Sequence, residues 1–349
     1  MTDTQIASSA ELDAMRRALE LAQEGPAGGE NPRVGCVLLN SSGHIVAEGF
    51  HRGAGTAHAE VDALSTLSSA GLSAEGLTAV VTLEPCNHHG KTGPCSEALI
   101  ESGISRVVFG ATDPGAESSG GSHTLSQAGL AVVGGVLEQE SEALNRHWLF
   151  AKAHGRPFVT AKWAQSLDGR SAAADSTSQW ITGPESRERV HRDRSAHGAI
   201  MVGTSTALID NPSLTARTEV RLYPHQPFAV VVGKREIPAD AAVRNHPGGF
   251  VQISSHDPAD VLSDLYERGI TSVYLEGGST LLSAFIEAGL VDECHITIGS
   301  MLLGGPHLSV GEIGVATMSE AISLSIDAVE RQGDDIWVVA TPIWAQGKE

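Results

Sequence analysis

Cysteine is scarce in this 349-residue chain, with four in total: Cys36, Cys86, Cys95 and Cys294. That is too few for a disulfide framework in a protein this long, and it points to a reducing cytoplasm. Aromatic residues make up only 4%, so the cores must be mainly aliphatic. Basic residues are also outnumbered: the formal net charge is -19. Nucleic-acid and anionic-membrane binding both call for a basic surface, so neither is expected. No stretch approaches the roughly 18 consecutive apolar residues of a membrane span. The N-terminal "MTDTQIASSAELDAM" lacks the basic and apolar regions of a signal peptide. A G-x-G-x-x-G dinucleotide fingerprint is missing as well.

The length suggests two domains. Over the first 150 residues, short apolar strands alternate with amphipathic helices. "ELDAMRRALELAQE" puts Leu12, Met15, Leu19 and Ala22 on one helical face. "VGCVLLN" and "HIVAEGF" flank "SSG" and predict a hairpin. A helix from about Ala59 to Ser69, the strand "TAVVTLEP", the helix "SEALIESG", the strand "RVVFG" and the helix "EQESEALNRHWLF" follow. The pattern predicts a mostly parallel sheet covered on both faces. It breaks at "AKAHGRP", a boundary between a domain over 1–150 and one over 151–349. Alternation then resumes and ends in "DIWVVATPI"; residues 236–257 and 304–335 read as loop-rich.

The chemistry concentrates in two short stretches. "HAEVDAL" begins at His58, and "TLEPCNHHGKTGPC" carries Cys86 and Cys95 with two histidines between them. An imidazole and two thiolates suit zinc with a fourth position left open for water, as a catalytic site requires. Zinc lowers the pKa of that water, and Glu60 can take the proton and deliver it to a substrate nitrogen. Zinc deaminases show H-x-E followed by P-C-x-x-C. Pro85-Cys86 fits, but here eight residues separate the cysteines. His88 and His89 remain rival ligands for a closed structural site. Cys36 and Cys294 read as buried core thiols.

With "NPRVGCVLL", "HAEVDAL", "VTLEPCNHHGKTGPC" and "ATDP", the first half resembles the deaminase domain of the bifunctional riboflavin-biosynthesis deaminase/reductase family. In that family the eight-residue spacing is the rule. The resemblance implies a cytidine-deaminase-like three-layer α/β/α domain with His58, Cys86 and Cys95 as zinc ligands and Glu60 as proton shuttle. Asn31, His88 and Lys91 would face the substrate. Where the family usually continues with Asn-Pro and a basic Gly-rich turn, residues 115–122 are "GAESSGGS".

The second half has "LEGGSTLL", a strand, paired glycines and a helix whose N-terminus can receive phosphate. With "AKWAQSLDGR", "SQWITG", "VHRDRSAHGAIMVGTSTALIDNPSLTAR" and "EAGLVDE", it resembles the same family's reductase domain, similar in fold to dihydrofolate reductase and dependent on NADPH. That resemblance implies NADPH contacts from Ala164, Trp180, Thr206, Asp210, Gly277, Gly278, Ser279 and Thr280. It implies substrate contacts from Ser178, Arg194, Leu214, Arg217 and Glu276, with Arg194 and Arg217 suited to a ribose phosphate. Asp168 reads as either a structural turn residue or a catalyst. The family's Asp-Ser at a strand end is replaced by Val232-Gly233.

The expected activity is deamination of 2,5-diamino-6-(5-phosphoribosylamino)pyrimidin-4-one, then reduction of the ribosyl chain to ribityl. The alternatives are a nucleoside or tRNA deaminase with an accessory domain, and a relative that has lost one activity. The sequence leaves the oligomeric state open; a homodimer is common for acidic α/β enzymes of this kind.

Overall fold

The computed structural model describes residues 6–88 and 93–344. The chain divides into two compact units, residues 1–154 and 155–349.

In the first unit, α1 (Ser9–Gln23) starts at a capping box, in which Ser8 and Glu11 each satisfy the other's backbone N–H. β1 (Gly35–Leu39) and β2 (Ile45–Phe50) form the expected antiparallel hairpin. Then come α2 (Ala59–Ser69), β3 (Thr78–Leu83), α3 (Cys95–Glu101), β4 (Arg106–Ala111), α4 (Gly121–Gln127), β5 (Ala131–Val133) and α5 (Glu138–His154). The sheet order is β2-β1-β3-β4-β5, parallel from β3 to β5. Strand alternation separates two cores. Cys36, Leu38, Ala79, Val81 and Val107 pack with Ala63, Leu67, Leu99 and Leu125 of α2, α3 and α4. Val37, Leu39, Val80 and Val108 pack with Ala14, Met15, Ala18 and Leu21 of α1. The result is a three-layer α/β/α unit, as expected.

The second unit runs β6 (Phe158–Ser166), α6 (Pro184–Ser195), β7 (Ala199–Gly203), α7 (Thr204–Asp210), β8 (Phe228–Val232), β9 (Phe250–Ile253), α8 (Pro258–Glu267), β10 (Ser272–Leu275), α9 (Ser279–Glu287), β11 (Glu293–Gly299), β12 (Ser323–Gln332) and β13 (Asp335–Ile343). Its eight strands are ordered β12-β13-β11-β6-β10-β7-β8-β9, parallel from β11 through β9 and antiparallel at the β12-β13 edge. One face buries Val159, Ala161, Met201 and Val230 against Leu262, Leu265, Leu282 and Phe285 of α8 and α9.

Two segments that read as loop-rich contain strands. β9 lies within 236–257, and β12 occupies ten residues of 304–335. β12 is exposed almost throughout, so its apolar residues carry no buried-face alternation to read. Cys36 and Cys294 are buried, and all four cysteines are free. No helix among the described residues is long and apolar enough to cross a membrane.

Candidate active sites

His58 is the N-cap of α2, Cys95 opens α3, and Cys86 lies just beyond the end of β3. These positions bring His58 Nδ1 to 3.5 Å from Cys86 Sγ and 3.3 Å from Cys95 Sγ, with all three atoms within 4.8 Å of one another. Tetrahedral zinc bound by imidazole and thiolate separates nitrogen from sulfur by about 3.6 Å, so the donor set fits. The Cys95 N–H points at Cys86 Sγ over 3.4 Å. Hydrogen bonding from Cys95, with further help from His58, holds the Cys86 thiol well below its ordinary value, and the Cys95 thiol is raised in turn.

Glu60 is 3% exposed. Burial, then the charge of Cys86, pushes its carboxyl up to about 6. Asn31 Nδ2 lies 3.1 Å from His51 Nε2, and His51 Nδ1 lies 3.0 Å from the Ala57 carbonyl. His51 thus links Asn31 to the turn that leads into His58, and its ring meets the His58 ring edge-on at 5.4 Å. The buried Nδ1 of His88 has no hydrogen-bond partner among the described residues. His89 and Lys91 lie outside the described residues.

The 115–122 segment folds back on the cysteine loop. Glu84 accepts from the Asp113 and Ser122 N–H groups, and the Asn87 N–H donates to the Ser118 carbonyl at 2.9 Å. His51, Glu84 and Asn145 are missed by sequence reasoning. Glu84 lies within the cysteine motif, but its partners Asp113 and Ser122 are 29 and 38 residues away. Asn31 and Arg33, the partners of His51 and Asn145, are 20 and 112 residues away.

In the second unit, Gly278 caps α9 with no side chain accepting its first amides. A Cβ at Gly278 would lie 3.4 Å from Thr206 Oγ1, which brings the glycine turn beside α7. Open amides and close-approaching glycines fit a phosphate-bearing cofactor. Asp210 is the last residue of α7, Ala164 lies within β6, and Trp180 is 65% exposed with the Arg187 guanidinium over its ring.

Arg194 makes a bidentate pair with Glu276, 2.6 and 3.0 Å, and Lys162 Nζ stands 3.9 Å from the same carboxylate. Arg194 is therefore half of a buried ion pair. Burial works to raise Glu276, but Arg194 and Lys162 outweigh it and hold the carboxyl at about 2. Arg217 donates to Ser213 and Thr215 hydroxyls, and Leu214 is buried at φ 56. Ser178 is exposed in the turn before α6. Asp168 accepts from Ser166 Oγ and from the Leu303 and Gly304 N–H groups, the work of a turn residue.

The family described as the RibD C-terminal domain matches residues 157–338, and the cytidine and deoxycytidylate deaminase zinc-binding region matches 8–111. A riboflavin biosynthesis protein RibD of Mycobacterium tuberculosis is 46% identical over 307 residues, 87% of this chain and 89% of that protein. The chain belongs to the RibD family. The Escherichia coli RibD is 36% identical over 92% of this chain and 96% of its own. The solved Acinetobacter baumannii RibD superposes with a TM-score of 0.87 at 32% identity, covering 96% of this chain and 99% of that one. A Thermotoga maritima structure described as a diaminohydroxyphosphoribosylaminopyrimidine deaminase and 5-amino-6-(5-phosphoribosylamino)uracil reductase gives 0.85 at 33% identity, with 96% and 99% coverage. As a RibD this chain is a bifunctional deaminase and reductase of riboflavin biosynthesis, with a zinc-binding deaminase domain and an NADPH-dependent reductase domain.

Proposed function

We propose that the first unit, residues 1–150 by sequence, deaminates 2,5-diamino-6-(5-phosphoribosylamino)pyrimidin-4-one. The second, 151–349, then reduces the ribosyl chain to ribityl. The observation that carries the first half is the convergence of His58, Cys86 and Cys95, with a buried carboxylate two residues after the histidine.

These three residues would hold zinc, which when bound supplies a Lewis acid that makes water nucleophilic near neutral pH. Glu60 carries a proton from the attacking water to the departing nitrogen, so the ring amine leaves as ammonia and a carbonyl oxygen takes its place. Asn31, His88 and Lys91 hold the pyrimidine. His51 sets the direction of the Asn31 amide, a role its two polar contacts support.

In the second unit, the Gly277-Gly278-Ser279-Thr280 turn, Ala164, Trp180, Thr206 and Asp210 receive NADPH. Ser178, Leu214, Arg217, Arg194 and Glu276 line the sugar-phosphate side. Holding the nicotinamide against the acceptor carbon is most of what hydride transfer demands of the protein. The free thiols support a cytoplasmic location, and a homodimer is the expected assembly; fractionation and sedimentation test the two.

One assay that follows the pyrimidine through both steps tests the reading. Ammonia release should precede NADPH oxidation, with one NADPH consumed per ammonia. If authentic deaminated intermediate consumed no NADPH, the reductase half would fall.

A further inference from the structure

Gly183 ends the stretch "SQWITG" and caps α6 without a side chain. The acceptor that a cap would supply comes from 152 residues away. Asp335, the first residue of β13, accepts at Oδ2 from the Gly183 N–H at 2.7 Å and from the Ser186 hydroxyl at 2.6 Å. In a capping box, the side chain at the third helical position reaches back to the cap N–H. Ser186 holds that position here, and Asp335 bridges it to the cap. Pro184, at the first helical position, has no N–H to satisfy. Asp335 is 3% exposed and Ser186 1%.

The residues before the helix are held one after another. A Cβ on Gly299, the last residue of β11, would run into the Ile181 carbonyl oxygen, so that glycine seats the segment against the sheet. Arg187 Nη1 donates to the Thr182 carbonyl at 2.7 Å, and its guanidinium lies 4.4 Å from the centre of the Trp180 ring. The turn before Asp335 packs on the start of α6, where a Cβ on Gly333 would come within 2.8 Å of Glu185 Oε2. Trp180 stays largely exposed at the end of this row of anchors, with its indole open to a ligand. Asp335 is the buried anchor of the set, and it ties the 180–183 segment to the β12-β13 hairpin.

We propose that Asp335 is a positioning residue for NADPH: by fixing Gly183 and Ser186 it sets where Trp180 stands against the cofactor. The proposal rests on the reading that Trp180 receives NADPH.

The test takes two measurements on the full-length protein. Hydrogen exchange across residues 178–187 reports the anchor without any ligand, and nicotinamide fluorescence gives the Kd for NADPH. Asp335→Ala should speed that exchange and raise the Kd by about tenfold each, the scale for a buried donor left without its acceptor. Ser186→Ala keeps the Gly183 contact and should raise both by about two- to threefold. Asp335→Asn retains an acceptor oxygen and should stay within about threefold of the parent. Asp292→Ala is the control for lost stability. It removes the acceptor of the Arg156 guanidinium and the Val159 N–H at the opposite end of β11, so melting should fall. Its Kd should stay within about twofold, since the 180–183 segment is untouched. A Kd raised as much by Asp292→Ala as by Asp335→Ala would reduce Asp335 to general stability and overturn the proposal. So would parental exchange in Asp335→Ala or, where that variant does not fold, in Ser186→Ala. Faster exchange with an unchanged Kd would instead remove Trp180 from the cofactor site.

Discussion

Asn145 holds both backbone polar groups of Arg33. Its Oδ1 accepts from the Arg33 N–H at 2.9 Å, and its Nδ2 donates to the Arg33 carbonyl at 2.8 Å. The side-chain amide thus serves as one residue of a β-partner for the loop that carries Asn31. α5 accommodates this by leaving helical geometry at Asn145, where φ is -120 and ψ is 19.

Asn145→Ala should leave the Arg33 N–H and carbonyl without these partners and let the Asn31 loop drift. The deaminase KM should rise roughly tenfold with kcat nearly kept, the pattern of lost ground-state binding. NADPH oxidation on the deaminated intermediate should be unchanged. If kcat fell while KM held, the loop would be acting on chemistry instead of binding.

Glu60→Gln keeps the shape of the side chain but removes the proton carrier. Ammonia release should fall by about 10²- to 10⁴-fold, the usual scale of general acid–base catalysis. Zinc content, measured by atomic absorption, should stay near one per chain, because Glu60 is not among the grouped ligands. Chelation should abolish ammonia release and spare the reductase. An undiminished rate in the Gln variant would remove Glu60 from the mechanism.

Glu276→Ala strands two cations, Arg194 and Lys162, in a buried site. Breaking a buried pair in this way costs about 3–5 kcal/mol, so the melting of the second unit should drop by roughly 10 °C. The pH course follows from the sign of the shift. Glu276 stands at about 2 in the fold, below the ordinary carboxylate value of 4.5. Its stabilisation is complete above pH 4.5 and disappears as the pH falls towards 2. Loss of the pair already at pH 5 would contradict this.

His197 loses its contribution earlier. It is 4% exposed, its Nδ1 bonded to the Asp193 carbonyl and its Nε2 to Thr160 Oγ1. Burial, aided by the charge of His295, lowers it to about 4 from 6.5. The unfolded chain takes up that proton first, so stability is full above pH 6.5 and declines towards pH 4, by about 3 kcal/mol. His295, on β11 between Asp193 and Glu293, runs the other way. Burial lowers it, but its two acidic neighbours more than compensate and leave it raised. Tyr274 of β10 also faces His197, with a pKa pushed far above use in this range. Urea unfolding of His197→Asn from pH 7 to pH 4 should show a flatter slope than the parent; an equal slope would assign the acid loss elsewhere.

Local pattern made α2 legible to the residue, because apolar spacing and the turns around it agree. The same holds for the β1-β2 hairpin. α4, "GSHTLSQ", buries only Gly121 and Leu125, too little apolar periodicity to be seen. β12 eluded reading for the opposite reason, since its Leu324, Ile326 and Val329 point into solvent. At the sites, ligand types and spacing marked His58, Cys86 and Cys95, which the fold brings together. The partner of Arg194 was not legible: Glu276 lies 82 residues away, and sequence suggested a free phosphate-binding arginine. Nor was the Asn145 clamp, which spans 112 residues.

The exposed β12 has a bearing on how the protein behaves in a tube. An outer strand with bare Leu324, Ile326 and Val329 invites edge-to-edge pairing between molecules. A bulge near Asp327 and the nearby charges of Glu330 and Arg331 interrupt that edge, but only over part of its length. The rest of the protection comes from the net charge of -19, which keeps copies apart at a distance. Colloidal behaviour is therefore set by ionic strength: dilute buffer preserves the repulsion, and added salt lets the strand edges meet.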